Sequence, residues 1–203
     1  TLITSNQKRH NHFINLLSDY CSELFVIQEN DTIFPGVFDG IYKSNNLMKK
    51  YFENVFNAQE KIFGSENSYI RSKKINLLPI KFGDVSNLEL SDLSNFLKSD
   101  IYVVYGSSYI KGSLIKFLVK KRAINIHLGI SPFYRGSDCN FCALYDNNPN
   151  LVGATIHLLS EGLDSGSILY HALPKFYSNP FMLTMSSVLS SQYSICNYIK
   201  KKK

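Results

Sequence analysis

The run Ile101-Tyr102-Val103-Val104-Tyr105, leading through Gly106-Ser107-Ser108 into the helix-spaced apolar residues Leu114 to Val119, most constrains what this chain can become. Five consecutive apolar residues without a charge read as a strand buried on both faces. Such a strand needs helices above and below it. The same unit recurs along the chain. Leu2-Ile3-Thr4 reads as a first strand, and Ser5-Asn6 is placed to cap a helix through Phe13, Leu16 and Leu17. Leu24 to Ile27, Ala123 to His127 and Ala154 to Leu159 read as further strands, and Ile168-Leu169-Tyr170 begins another. Asn76 to Ile80 suits an edge strand. Helices are expected over 45–63, over Leu90 to Leu97 with Ser91 or Asp92 near the start, and over Leu183 to Ile199. In the first of these, Tyr51, Phe52, Phe56 and Phe63 form an apolar side that reads as core, opposite Lys49, Lys50, Glu53 and Glu60. Strands alternating with helices predict an α/β fold, Rossmann-like, with a mostly parallel sheet flanked by helices. In such sheets ligands bind at the carboxyl ends of the strands. Asn125, His127 and the Ser107-Ser108 turn all fall at such ends.

The 203 residues suit a single domain, 1–203, with a sizeable core. No stretch approaches the roughly 18 apolar residues that cross a bilayer, and no basic-then-apolar leader opens the chain. The reading is therefore a cytoplasmic protein without a membrane partner. Net charge is +6, from 22 basic and 16 acidic residues, and part of it is the terminal run Lys200 to Lys203, read as a solvated tail. The remaining basic residues are scattered, without the stripe and aromatic interleaving of a nucleic-acid groove binder. Cys139 and Cys142 form a CxxC pair, but no second pair exists to complete a zinc site. They read as reduced, helix-facing thiols, and no metal is expected.

The chemistry-bearing residues cluster in the second half. Asn125 and His127 are two apart on a strand and so share a face. Taken alone, the pair is open to a hydrogen-bonded structural role or a catalytic one. Gly129, Pro132 and Gly136 make a bent loop after it, and Gly162, Asp164 and Gly166 make a second. Asp164 is an ordinary turn residue unless its loop folds back onto His127. His157 alternates with Ile156 and Leu158 and reads as structural, whereas His10 and His12, beside a helix start, are placed to touch an anionic substrate but read first as solvated surface.

Four segments in order carry a resemblance: Asn125-Ile126-His127, Pro132-Phe133-Tyr134-Arg135-Gly136, Thr155-Ile156-His157 and Asp164-Ser165-Gly166. Together they resemble the folate-dependent formyltransferases, a family that includes the glycinamide ribonucleotide, methionyl-tRNA and sugar N-formyltransferases. The resemblance is strong over residues 101–170 and rests on fold pattern elsewhere. It implies 10-formyltetrahydrofolate as formyl donor and co-substrate, and Asn125, His127 and Asp164 as catalytic residues. It implies that the turn Ser107-Ser108-Tyr109-Ile110 meets the pterin-like ring, and that the loop from Leu159 through Gly162 closes the other side. The implied chemistry suits these residue types. Negative charge grows on the formyl oxygen as an amine attacks, and amide and imidazolium donors offset it, one donor being worth about 3 kcal/mol. A carboxylate beside the imidazole favours its charged form and can take the amine's proton.

The acceptor is less constrained. The turn Ser5-Asn6-Gln7-Lys8-Arg9-His10 lacks the glycines expected of a ribonucleotide-phosphate loop. No second RNA-binding or regulatory domain is expected in a chain of this length. These features point to a small-molecule amine, an amino group on a nucleotide-linked sugar for surface polysaccharide. Acceptor contacts are expected from the 5–12 turn, the 30–75 region and the 128–140 loop, and a homodimer is compatible with the reading. Two alternatives stand beside it: a phosphoribosylglycinamide formyltransferase of purine synthesis, and an inactive folate-binding partner protein.

Overall fold

The computed structural model describes residues 1–35, 44–64 and 69–201. Among these residues seven strands form one sheet: β1 (Leu2–Ser5), β2 (Leu24–Asn30), β3 (Ile75–Lys81), β4 (Val103–Tyr105), β5 (Ile124–His127), β6 (Ala154–Leu158) and β7 (Ile168–Ala172). Their spatial order is β3-β2-β1-β4-β5-β6-β7. The first five run parallel, and β6 pairs antiparallel with β5 on one side and with β7 on the other. Five α-helices accompany them among the described residues: α1 (Lys8–Ser18), α2 (Asn46–Phe63), α3 (Gly112–Lys120), α4 (Cys139–Tyr145) and α5 (Pro180–Lys200). The expected α/β class and largely parallel sheet are observed, with β3 on the edge.

The apolar strand runs are explained by burial on both faces. Along β1, Leu2 enters one core cluster and Ile3 the other, and along β4 Val103 and Tyr105 oppose Val104 in the same way. One cluster holds Phe13, Ile14 and Leu17 of α1, Phe63 of α2, and Val188 and Ile195 of α5. The other holds Leu114, Ile115 and Leu118 of α3. Ile124 and Ile126 of β5 belong to the first cluster, so Asn125 and His127 must point the other way.

Helix ends follow their capping residues. Asn45 Oδ1 accepts from Met48 N at 2.8 Å, and Asn179 Oδ1 accepts from Met182 N at 3.0 Å with Pro180 just inside α5. The α1 cap differs from expectation. Asn6 turns away, and its Nδ2 donates to Asp31 O at 2.9 Å. Gln7 becomes the cap residue, with its N–H donating to His10 Nδ1 at 3.1 Å. The Leu90 to Leu97 helix does not form. The segment is a run of turns, in which Asp92 Oδ2 accepts from Glu89 N while Leu90, Leu93, Phe96 and Leu97 pack on the α3 side. Side-chain competition for a backbone N–H, together with a flat apolar surface to cover, favours turns over helix there.

The α2 aromatics divide. Phe52 and Phe63 are buried, and Lys49, Lys50, Glu53 and Glu60 are exposed as expected. Lys202 and Lys203 of the basic tail lie outside the described residues, as do positions 36–43 and 65–68 of the central region. Among the described residues no helix is long and apolar enough to cross a membrane.

Candidate active site

After β1 the chain builds outward through β2 and β3, then crosses back to place β4 on the other side of β1. The carboxyl ends of β1 and β4 therefore form a switch point, where neighbouring loops diverge and leave a crevice. Two cavities open there. One, of about 380 Å³, is bounded by the loop after β4, the end of β5 and the segment after β6. The other, of about 370 Å³, lies towards α1, α2 and α5. Gly106, Leu128 and Asp138 border both.

Asn125, His127 and Asp164 meet on the wall of the first cavity. The loop carrying Asp164 does fold back: Asp164 Oδ2 lies 3.1 Å from His127 Nδ1. The same oxygen accepts from Gly136 N at 3.0 Å, and Oδ1 accepts from Asn125 Nδ2 at 3.3 Å. Asp164 reaches this position with φ of 44°, the left-handed conformation that aspartate tolerates better than most residues. His127 is 5 % exposed, and its Nε2 donates to Tyr134 O at 2.9 Å. Both ring nitrogens thus face acceptor oxygens, and only the doubly protonated ring donates to both. The strand end is pinned from β6, where Thr155 Oγ1 donates to Gly129 O at 2.6 Å and accepts from Ser131 N at 2.9 Å.

Burial by itself pushes the Asp164 carboxyl up, but the adjacent His157 ring, the His127 charge and the Gly136 N–H together hold it below its ordinary value. The carboxylate is therefore anionic across the neutral range. His157 belongs to the site more closely than its alternating strand position suggests. It is 2 % exposed, its Nδ1 donates to Leu158 O at 2.8 Å, and its Nε2 accepts from Asn125 Nδ2 at 3.0 Å. That tautomer orients the Asn125 amide.

The structure places Ser107, Ser108, Tyr109, Ile110, Leu159 and Gly162 on the walls of the same cavity as Asn125, His127 and Asp164. Tyr109 Oη donates to Glu161 O at 3.0 Å, joining the two facing loops. Apolar side chains of Val104, Ile115 and Leu163 complete the lining.

The second cavity draws on all three segments expected to contact the acceptor. Gln7, Arg9 and His10 come from the first, Thr32, Tyr51, Phe52 and Phe56 from the second, and Leu128, Asp138 and Asn140 from the third. Sequence reasoning missed the contribution of α5, from Phe181 to Val188, and misplaced His10. His10 is 3 % exposed rather than solvated, because its ring packs on Tyr105 at 4.9 Å and its Nε2 approaches Gly106. Only the Gln7-His10 spacing, three residues apart at a helix start, carried a local signal of this arrangement. Cys139 is buried at the start of α4 and Cys142 is exposed. Burial is the first cause that pushes the Cys139 thiol up to about 11, with nearby Asp164 adding to it.

The sequence profile of a family described as Formyl transferase matches residues 60–179. A methionyl-tRNA formyltransferase from Caldicellulosiruptor saccharolyticus is 27% identical over 173 residues, which is 79% of this chain and 55% of that protein. The chain spans about half the length, or less, of the curated relatives it matches. Among solved structures, a phosphoribosylglycinamide formyltransferase from Bacillus halodurans superposes with a TM-score of 0.62 at 16% identity, covering 98% of this chain and 93% of that one. A sugar N-formyltransferase from Shewanella sp. superposes with a TM-score of 0.55 at 18% identity, covering 98% of this chain and 67% of that one. At these identities the superpositions establish a shared fold. With more than half of its residues matched by the family profile, the chain belongs to the formyl transferase family.

Proposed function

We propose that this protein transfers a formyl group from 10-formyltetrahydrofolate to a primary amine on a nucleotide-linked sugar. The observation that carries the reading is the convergence of Asn125, His127 and Asp164 on one cavity that shares a border with a second. The first cavity suits the donor. Its volume lies within the usual range for small-molecule sites, its walls are largely apolar, and backbone from two loops edges it. A flat bicyclic ring with a hydrogen-bonding rim fits that lining.

When bound, the donor supplies an activated formyl carbon. Asn125 contributes an amide donor to the negative charge that develops on the formyl oxygen. Its longer contact, 3.3 Å to Asp164 Oδ1, is the one a substrate oxygen would replace. His127 supplies positive charge beside it. Its Nε2 hydrogen faces the Tyr134 carbonyl, so direct donation to substrate requires that carbonyl to yield. Asp164 holds the imidazolium in place and, as an anion, receives or relays the proton released by the attacking amine. In the transfer, a carbon–nitrogen bond forms to the acceptor, the donor's carbon–nitrogen bond breaks, and the amine proton passes to the leaving nitrogen.

The second cavity supports the acceptor assignment. Asn6 and Gln7 direct their amide side chains to Asp31 O and Thr32 O, so the turn before α1 is closed by protein partners and carries no glycine. Tyr51, Phe52, Phe56, Phe141 and Phe181 form an aromatic side suited to a nucleobase, facing the polar groups of Arg9, His10 and Asn140.

The test is mass spectrometry after incubation with 10-formyltetrahydrofolate and a panel of nucleotide-linked amino sugars, glycinamide ribonucleotide and methionyl-tRNA. A formyl mass gain on a sugar supports the proposal. Gain solely on the ribonucleotide or the tRNA overturns the acceptor assignment, and folate binding without transfer to any acceptor overturns the activity.

A further inference from the structure

The strand β2 carries near its end a carboxylate with no exposed surface, Glu29. Its Oε1 accepts from Gly83 N at 2.8 Å and from Ser108 Oγ at 2.7 Å, and its Oε2 accepts from Ser108 N at 2.6 Å. None of the ion pairs among the described residues includes it. A buried carboxylate is costly unless donors surround it, and here three short hydrogen bonds take that role. Two loops supply them. Gly83 follows Phe82, which lines the acceptor-side cavity, and Ser108 lines the donor-side cavity. Ser86 reinforces the link, donating to Tyr109 O at 3.3 Å and accepting from Lys111 N at 3.0 Å.

We infer that Glu29 is a positioning residue for the formyl donor. It touches no ligand. It fixes Ser108 through both backbone and hydroxyl, and so sets the path of the 106–110 wall against which the folate ring would lie. The Tyr109–Glu161 bond then carries that position across to the facing loop. A stabilising role alone would not require an anion at this point. What the carboxylate adds is a second acceptor oxygen: an amide can keep the Oε1 bonds to Gly83 N and Ser108 Oγ but turns an NH2 donor toward the Ser108 N–H, and an apolar side chain loses all three bonds. The inference rests on the folate-donor reading of the cavity.

The experiment is calorimetric titration of the full chain with tetrahydrofolate, in wild type and in Glu29→Gln, Glu29→Ala and Ser108→Ala, with melting temperatures recorded beside each. Leu17→Ala serves as a control that weakens the core on the α1 side without lining either cavity. Glu29→Gln is expected to raise the tetrahydrofolate Kd about tenfold, the effect of losing one charged hydrogen bond. Ser108→Ala, which retains the backbone donor, is expected to raise it by less, and Leu17→Ala not at all despite its lower melting temperature. If Glu29→Ala does not fold, the other variants still decide the matter. A wild-type Kd in Glu29→Gln, or a Kd that tracks melting temperature across all variants including Leu17→Ala, overturns the positioning role alone. Failure of the wild type to bind tetrahydrofolate overturns the donor reading beneath it.

Discussion

Asp164 Oδ2 stands 3.1 Å from His127 Nδ1, and through that contact a turn some forty residues downstream closes onto the end of β5. The same carboxylate binds the Gly136 N–H and the Asn125 amide, so one residue joins the strand end to both flanking loops.

Asp164→Asn should therefore abolish most transfer, by about 10²–10³-fold, while tetrahydrofolate binding persists. It should also change acid stability. The folded carboxyl lies below its ordinary value of 3.8, so its stabilisation is fully present above that pH and is lost as pH falls through the lower folded value. Acid unfolding followed by circular dichroism should be less steep below pH 3.8 in Asp164→Asn than in wild type.

His157 orients Asn125 without standing among the expected catalytic residues. His157→Ala leaves the amide without its 3.0 Å acceptor and should lower kcat about tenfold or more. His157→Gln, which restores an acceptor oxygen, should recover part of that loss. Steady-state kinetics on the acceptor identified by mass spectrometry provides the measurement.

Gly166 fixes the approach of the acidic loop to β6. A Cβ there would lie 1.7 Å from Leu158 O, a backbone atom that cannot swing aside. Gly166→Ala must displace the 159–166 segment and Asp164 with it. A misplacement of about 1 Å costs on the order of 10²-fold in rate, so activity should fall far more than melting temperature.

Tyr51 tests the aromatic side of the proposed acceptor cavity. Its ring stands edge-on to Phe141 at 6.2 Å and to Phe181 at 5.5 Å. Tyr51→Ala should raise KM for a nucleotide-linked acceptor about tenfold, within the range for one lost base–aromatic stack, and leave the tetrahydrofolate Kd unchanged. Equal effects on both ligands would place the residue in general stability instead.

His10 predicts a stability change near neutral pH. Burial, with the neighbouring Arg9 charge, holds its pKa well below the ordinary 6.5. A depressed value means that the stabilisation is present above 6.5 and is lost as pH falls below it. His12 shifts in the same direction, by burial against an opposing hydrogen bond that its Nδ1 donates to Gln192 Oε1. The melting temperature should fall as pH drops below 6.5, and His10→Asn, which keeps an acceptor near Gln7 N, should flatten but not remove that slope.

The sequence made the sheet legible because a strand buried on both faces must be apolar throughout, as in Val103 to Tyr105. It made the Asn125-His127 face legible because the two-residue period sends both side chains opposite to Ile124 and Ile126. The 90–97 segment misled because its apolar spacing also suits consecutive turns laid against α3, and no local pattern separates the two.

What the residues determined alone was the α/β class, the strand-end location of the polar groups and the family pattern, all of which are encoded in periodicity and order. Only the tertiary structure decided that His10 is buried against Tyr105, that His157 orients Asn125, and that Glu29 holds the loop at Ser108. Burial and hydrogen-bond partnership depend on which distant segments the sheet order brings together: Glu29 and Ser108 are 79 positions apart in the chain and 2.6 Å apart in the fold.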